Sequence, residues 1–160
     1  MLPYVETHTS FEGGATVADV VDLIERDHRE VEHLFSDFES SHDPGVATKI
    51  CDELTKHTFG EERALYPVVA EQLSDGKSLA HEAENEHKEA RQLIGRVRNT
   101  TDETHLVELM SELKQAIAHH VSEEEREMLP KARQAIDSDQ LEQMGRDFEE
   151  AKQAAGRQSG

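Results

Sequence analysis

The chain has little sulfur with which to cross-link and little positive charge. Cys51 is its single cysteine in 160 residues, so no internal disulfide can form, and the stapled framework of a small secreted domain is excluded. No apolar run approaches the roughly 20 residues that span a bilayer. The first residues lack the basic start and apolar centre of a signal peptide, so a cytoplasmic location is expected. Lysine and arginine number 17 against 35 acidic residues, for a formal charge of −18, which argues against nucleic acid and against anionic membrane surfaces as partners. A chain of this length holds one full hydrophobic core rather than two.

Histidine is plentiful, with ten in the chain, and two of them open a segment that occurs twice. The copies are His57-Thr58-Phe59-Gly60-Glu61-Glu62-Arg63-Ala64-Leu65-Tyr66-Pro67 and His120-Val121-Ser122-Glu123-Glu124-Glu125-Arg126-Glu127-Met128-Leu129-Pro130. In each, a Glu follows its His by one helical turn. At about 100° per residue the two lie about 40° apart on one face, so an imidazole and a carboxylate converge. A Glu-x-x-His also occurs twice, as Glu25 with His28 and Glu84 with His87. The chain is therefore an internal duplication of a helix pair.

Apolar residues recur at spacings of three and four around these motifs, the pattern of bundle helices. The first stripe is Val17, Val20, Val21, Ile24, His28, Val31, Phe35 and Phe38, with Thr16 expected as N-cap and Asp19 completing a capping box. The second carries Ile50, Leu54, His57, Glu61, Ala64 and Val68, and Pro67 is expected to kink or end it. The third carries Ala80, Ala83, His87, Ala90, Ile94 and Val97. The fourth carries Leu106, Leu109, Leu113, Ala116, Ile117, His120 and Glu124, with Pro130 matching Pro67. Turn chemistry separates them at 40–45, 74–76 and 99–102. These features predict an all-α, up-down-up-down four-helix bundle over residues 16–136. A flexible arm is expected at 1–15, a short C-terminal helix at 137–155 bearing Leu141, Met144 and Phe148, and a tail at 156–160.

In an antiparallel bundle with short loops, residues equidistant from a turn share a level. The midpoints between His28 and His57, between the His57/Glu61 pair and His87, and between His87 and His120 all fall in or within about two residues of the expected turns. Four imidazoles and two carboxylates thus meet at one depth of an apolar core. Such a cluster is destabilising by several kcal/mol per unpartnered group, and two metal ions sharing the carboxylates would relieve it. Imidazole with carboxylate suits iron or manganese, and also zinc. The metal ligands read from the sequence are His28, His57, Glu61, His87, His120 and Glu124. Glu25 and Glu84 lie about 60° from their histidines, where a solvated helix edge is the ordinary role and ligation or orientation the alternative. Tyr66 offers a phenol if Pro67 turns the chain, and on a straight helix it points away and packs; Tyr4 in the arm is a weaker candidate. His119 is set aside because only His120 keeps the proline-aligned spacing to Glu124. His33, His42, His81 and His105 fall off the stripes, and Glu62, Glu123 and Glu125 read as surface acids.

At these residues the chain resembles the hemerythrin-like family, also called the HHE cation-binding domain, over about residues 17–135. The resemblance rests on His28, on His57 with Glu61, on His87, on His120 with Glu124, and on the trailing Leu-Tyr-Pro and Met-Leu-Pro. It implies a four-helix bundle holding two iron ions joined by an oxo or hydroxo bridge. Oxygen-carrying members have a second His one turn before the third-helix His, and here Ala83 stands in that place. Their last carboxylate follows its His by five residues, where Glu124 follows His120 by four. Both departures disfavour reversible oxygen carriage. The set is similar to members proposed for iron or oxygen sensing, and to small bacterial ones linked to peroxide breakdown or nitric oxide chemistry. A binding protein that handles dioxygen or peroxide is expected. The alternatives are a catalase-like enzyme dismuting hydrogen peroxide, iron storage or a nitric oxide response, and a metal-free helical interaction module.

Overall fold

The structure is a computed structural model and describes residues 17–158. The expected arm at 1–15, with Tyr4, and the expected cap Thr16 lie outside the described residues. Helix α1 (Val20–Ser41) begins instead at Asp19, whose carboxylate accepts from the Asp22 N–H while Asp22 accepts from the Asp19 N–H. This reciprocal arrangement satisfies donors that a helix start leaves open. Val17, placed on the first stripe by periodicity, precedes the helix and is 53% exposed. Helix α2 (Pro44–Ala64) is capped by Asp43 with Pro44 in the first turn, where the missing N–H costs nothing.

Helix α3 (Tyr66–Gln72) follows a break at Leu65, two residues before the proline position that sequence chemistry selects. Helix α4 (Gly76–Arg98) starts close under α3: a Cβ on Gly76 would stand 1.8 Å from the Val69 carbonyl oxygen, so only glycine fits. Helix α5 (Glu103–Glu123), capped by Asp102, passes without a break into a π-helical turn (Glu124–Met128) and then α6 (Leu129–Ala135).

Helices α1, α2, α4 and α5 form the up-down-up-down bundle. Helix α7 (Ser138–Gln158) packs on its outside, chiefly against α2 and also against α1. Asp137 caps it through the Gln140 N–H, as expected. The expectation of a short last helix over 137–155 is corrected in extent: α7 has 21 residues, as many as α2, and runs on to Gln158, into the positions assigned to a tail. Leu141, Met144 and Phe148 all face inward and are buried. Among the described residues no helix is long and apolar enough to cross a membrane.

The apolar core has two parts. One, at the end holding the α3 and α6 turns, includes Val20, Ile24, Leu65, Val69, Leu129 and Phe148. The other includes Val31, Phe35, Phe38, Leu54, Ile94, Leu109 and Leu113. A polar layer separates them.

Helix α7 approaches α2 over Gly60, where an added Cβ would lie 2.7 Å from Phe148 Cε2 and 3.1 Å from Lys152 Cγ. Overpacking costs about 1–3 kcal/mol, against about 0.5–1 kcal/mol that alanine gains over glycine inside a helix. Gly60→Ala is therefore expected to destabilise the fold, read as a lower midpoint in chemical denaturation.

Candidate metal centre

His28, His57, Glu61, His87, His120 and Glu124 are all buried in the layer between the two apolar clusters. Their donor atoms form two groups. The first is His28, His57, Glu61 and Glu124; the second is Glu61, His87 and His120; within each, the atoms lie within 4.8 Å of one another. The two carboxylates face both ways. Glu61 Oε2 lies 3.2 Å from His57 Nε2, and its Oε1 lies 3.1 Å from His87 Nε2. Glu124 Oε1 lies 3.1 Å from His28 Nε2, and its Oε2 lies 3.3 Å from His120 Nε2. Each carboxylate thus presents one oxygen to each half.

All four imidazoles point Nε2 inward because a carboxylate holds each Nδ1. Asp27 Oδ2 meets His57 Nδ1 at 2.9 Å, Glu86 Oε1 meets His120 at 2.8 Å, Glu62 Oε2 meets His87 at 3.1 Å, and Glu125 Oε2 meets His28 at 2.6 Å. A carboxylate on one ring nitrogen fixes the tautomer that leaves the other free to ligate. Each of these acids has a further basic partner in turn: the Lys152 ammonium on Asp27, the His119 imidazole on Glu86, and the Arg91 and Arg29 guanidinium groups on Glu62 and Glu125. Glu62 and Glu125 are therefore not surface acids but half-buried supports of the site. Asp27 and Glu86 were not foreseen. Their only sequence signal is position, since each directly precedes a core histidine in its copy of the duplication.

Among the described residues, four buried side-chain atoms have no hydrogen-bond partner: His28 Nε2, His57 Nε2, Glu61 Oε2 and Glu124 Oε1. They belong to the four residues of the first group. Their close approaches lack the alignment of hydrogen bonds, and buried polar atoms in native proteins are almost always paired. The donor set, two imidazoles with two carboxylates, is chemically that of a metal site.

Tyr66 occupies the second half. The break at Leu65 carries its ring into the core, where it is 1% exposed. Its hydroxyl donates to Glu124 Oε2 at 2.8 Å, and lies 3.1 Å from Glu61 Oε1, 3.0 Å from His87 Nε2 and 3.5 Å from His120 Nε2. The straight-helix expectation, in which Tyr66 points away, is corrected. Ala83 lines a cavity of about 400 Å³ beside His120 and Glu124, with Glu86, His119 and Glu123 also on its wall. The π turn begins at Glu124, and such turns are frequent at functional sites.

Glu25 and Glu84 are exposed and stand outside both groups, as do His33, His42, His81, His105 and His119. His120, not His119, faces the core.

A helical bundle with two facing His/Glu groups at its centre is a fold of the cation-binding class. The chain belongs to the hemerythrin HHE cation-binding domain family, whose model matches residues 19–132. It is 24% identical over 139 residues to an uncharacterised hemerythrin-like protein of Schizosaccharomyces pombe, covering 83% of this chain and 68% of that one. It is 27% identical over 139 residues to a protein of Nostoc sp. named DNA nickase, covering 84% of this chain but only 39% of that protein's length. In fold it resembles a crystal structure of a hemerythrin HHE cation binding domain-containing protein from Mycobacterium kansasii. The TM-score there is 0.74 at 17% identity, over 88% of this chain and 89% of the other.

Without metal, three of the imidazoles, those of His57, His87 and His120, are held toward their protonated forms. Burial alone would lower the His57 pKa, but the Glu61 charge and the Asp27 hydrogen bond outweigh it and raise it from 6.5 to about 10. His120 is raised in the same sense by Glu124, against its burial. Burial would raise Glu61, yet His57 and its other partners hold it well below 4.5. Histidines with raised values contribute stability that is complete below pH 6.5 and lost toward pH 10; carboxylates with lowered values contribute stability that is lost on acidification below 4.5. Chelator-treated protein is expected to be most stable between about pH 4.5 and 6.5 in denaturant titrations. Metal loading at pH 7 should release protons from these imidazolium groups, measurable with an indicator dye in weak buffer.

Proposed function

We propose that the protein is a non-haem di-iron protein that binds and responds to dioxygen or peroxide. The observation that carries this reading is the set of four unpartnered buried atoms, two from imidazoles and two from carboxylates. His28 and His57 would hold one ion, His87 and His120 the other, with Glu61 and Glu124 spanning both. Tyr66 supplies the second ion with a further donor on the side where Ala83 leaves no imidazole. Iron, once bound, supplies open coordination positions and redox chemistry. The chain's own part is to hold four Nε2 atoms inward, exclude water from the first group by burial, and keep a cavity against the second. That cavity favours a second reading, peroxide dismutation, because it reaches His120 and Glu124. Hydrogen peroxide, dioxygen and nitric oxide are all small enough to use it.

Protein expressed with ample iron is expected to contain two irons per chain by elemental analysis. Absence of stoichiometric iron, manganese or zinc would leave only a metal-free helical module. His120→Ala should lower metal content and melting temperature, since ligand binding stabilises the folded state, whereas His119→Ala should retain both ions. Tyr66→Phe should remove a phenolate-to-iron charge-transfer band from the visible spectrum of the ferric protein, because a phenolate donor gives such a band and a hydrogen-bonding phenol does not. Steady oxygen evolution from peroxide over many turnovers would select the enzyme; none would select binding or sensing.

A further inference from the structure

Helix α7 lies beyond residues 19–132, where the family model matches, yet it reaches the centre of the molecule. Phe148, fully buried, stands edge-on to the His57 ring with centroids 5.8 Å apart and planes at 84°. One turn on, the Lys152 ammonium lies 2.9 and 2.8 Å from the two Asp27 oxygens and 5.3 Å from the Phe148 ring centroid. Asp27 Oδ2 is the atom that holds His57 Nδ1.

The other three supporting acids take their basic partners from the four-helix bundle itself. Arg29 is on α1, Arg91 on α4 and His119 on α5, and their side chains are 56%, 47% and 67% exposed. The Lys152 side chain is 15% exposed. An ion pair at an open surface contributes little, but removing one partner of a buried pair leaves the other charge uncompensated. The Asp27 carboxylate is therefore the supporting acid whose geometry depends most on its cation. Two hydrogen bonds, one to each oxygen, also stop it rotating away from His57.

We propose that α7 is a built part of the metal centre, in which Lys152 is the positioning residue that holds Asp27, and through it the His57 imidazole, for the first ion. Phe148 seals the same side. The two metal positions are consequently unlike: the first is closed over by a helix from outside the family domain, and the second borders the cavity beside Ala83. The assignment rests on the two-ion reading above.

Removing an outer partner of a metal-bound imidazole typically weakens metal binding about 10–100-fold, and Lys152 acts one step further out, so about tenfold is expected. The test is titration of the metal-free, full-length protein with Co(II), followed by visible absorption and calorimetry. The unaltered protein should take up two ions. Lys152→Met should weaken one of them about tenfold and leave the other unchanged, and Lys152→Arg should restore it. Glu86→Gln should weaken the other ion instead. If the methionine variant does not fold, Lys152→Gln, which keeps a donor to Asp27 without the charge, should show a smaller loss at the same ion. A variant that melts earlier but binds both ions as before makes Lys152 only a tether for α7 and overturns the inference, as does equal weakening of both. Fewer than two ions bound by the unaltered protein would sink the two-ion reading and this assignment together, whereas two ions bound alike by the protein and its variants would sink this one alone.

Discussion

The structure is organised by the need to bury four imidazoles and two carboxylates at one level of an apolar bundle. A domain is stable by only about 5–15 kcal/mol, and an uncompensated buried charge costs several. Six such groups are tolerable only if every one is engaged. Half of the compensation is visible in the fold: four outer carboxylates bind the four Nδ1 atoms, and Lys152, Arg91, Arg29 and the His119 imidazole bind those carboxylates. The inner half is where the unpartnered atoms gather. The polar layer also divides the core into two apolar clusters, one above and one below. Helix register is thereby constrained, because a slip of one residue in any long helix would drive a charge into one cluster and an apolar side chain into the site.

The supporting acids follow the duplication. Asp27 and Glu86 each precede a core histidine, and reach across to the histidine of the next long helix. Glu62 and Glu125 each follow a core glutamate; Glu62 reaches forward to His87 on α4, and Glu125 reaches back to His28 on α1. On a helix, an adjacent residue is rotated by about 100°, which takes it off the inward stripe and aims it at the neighbouring helix. One short motif therefore carries two jobs. Its inward residue faces the centre, and its neighbour fixes an imidazole on another element.

The inward residues were legible because they interrupt otherwise apolar stripes, and because the turns place them at matching depths. The outer acids were not. In a chain with 35 acidic residues, a Glu beside a stripe looks like any solvated Glu, and periodicity alone separates inward from outward but not outward from sideways. Tyr66 stays conditional in the sequence for a different reason: its direction depends on the backbone break at Leu65, which a straight-helix projection cannot contain. Helix α7 looked short because beyond Phe148 the sequence offers only small alanines among Glu149, Glu150, Lys152 and Gln153. Its length is set by docking on α2 over Gly60, a tertiary contact that local pattern does not express.

The departures from duplication matter as much as the repeat. Ile24 and Ala83 occupy equivalent places, one turn before His28 and His87. Ile24 is fully buried and fills its half, while the smaller Ala83 borders a cavity in the other. Tyr66 and Leu129 are likewise equivalent, preceding Pro67 and Pro130, yet the phenol turns toward the donors and Leu129 joins the apolar cluster. The backbone explains the difference: the first copy breaks at Leu65, and the second continues through a π turn. Lys152 then reaches one half only. Two halves with the same imidazoles and shared carboxylates are thus made unequal in access, in donor set and in outer charge. The His87/His120 half accordingly borders open space, where the small Ala83 side chain leaves room, while the His28/His57 half is packed against α7.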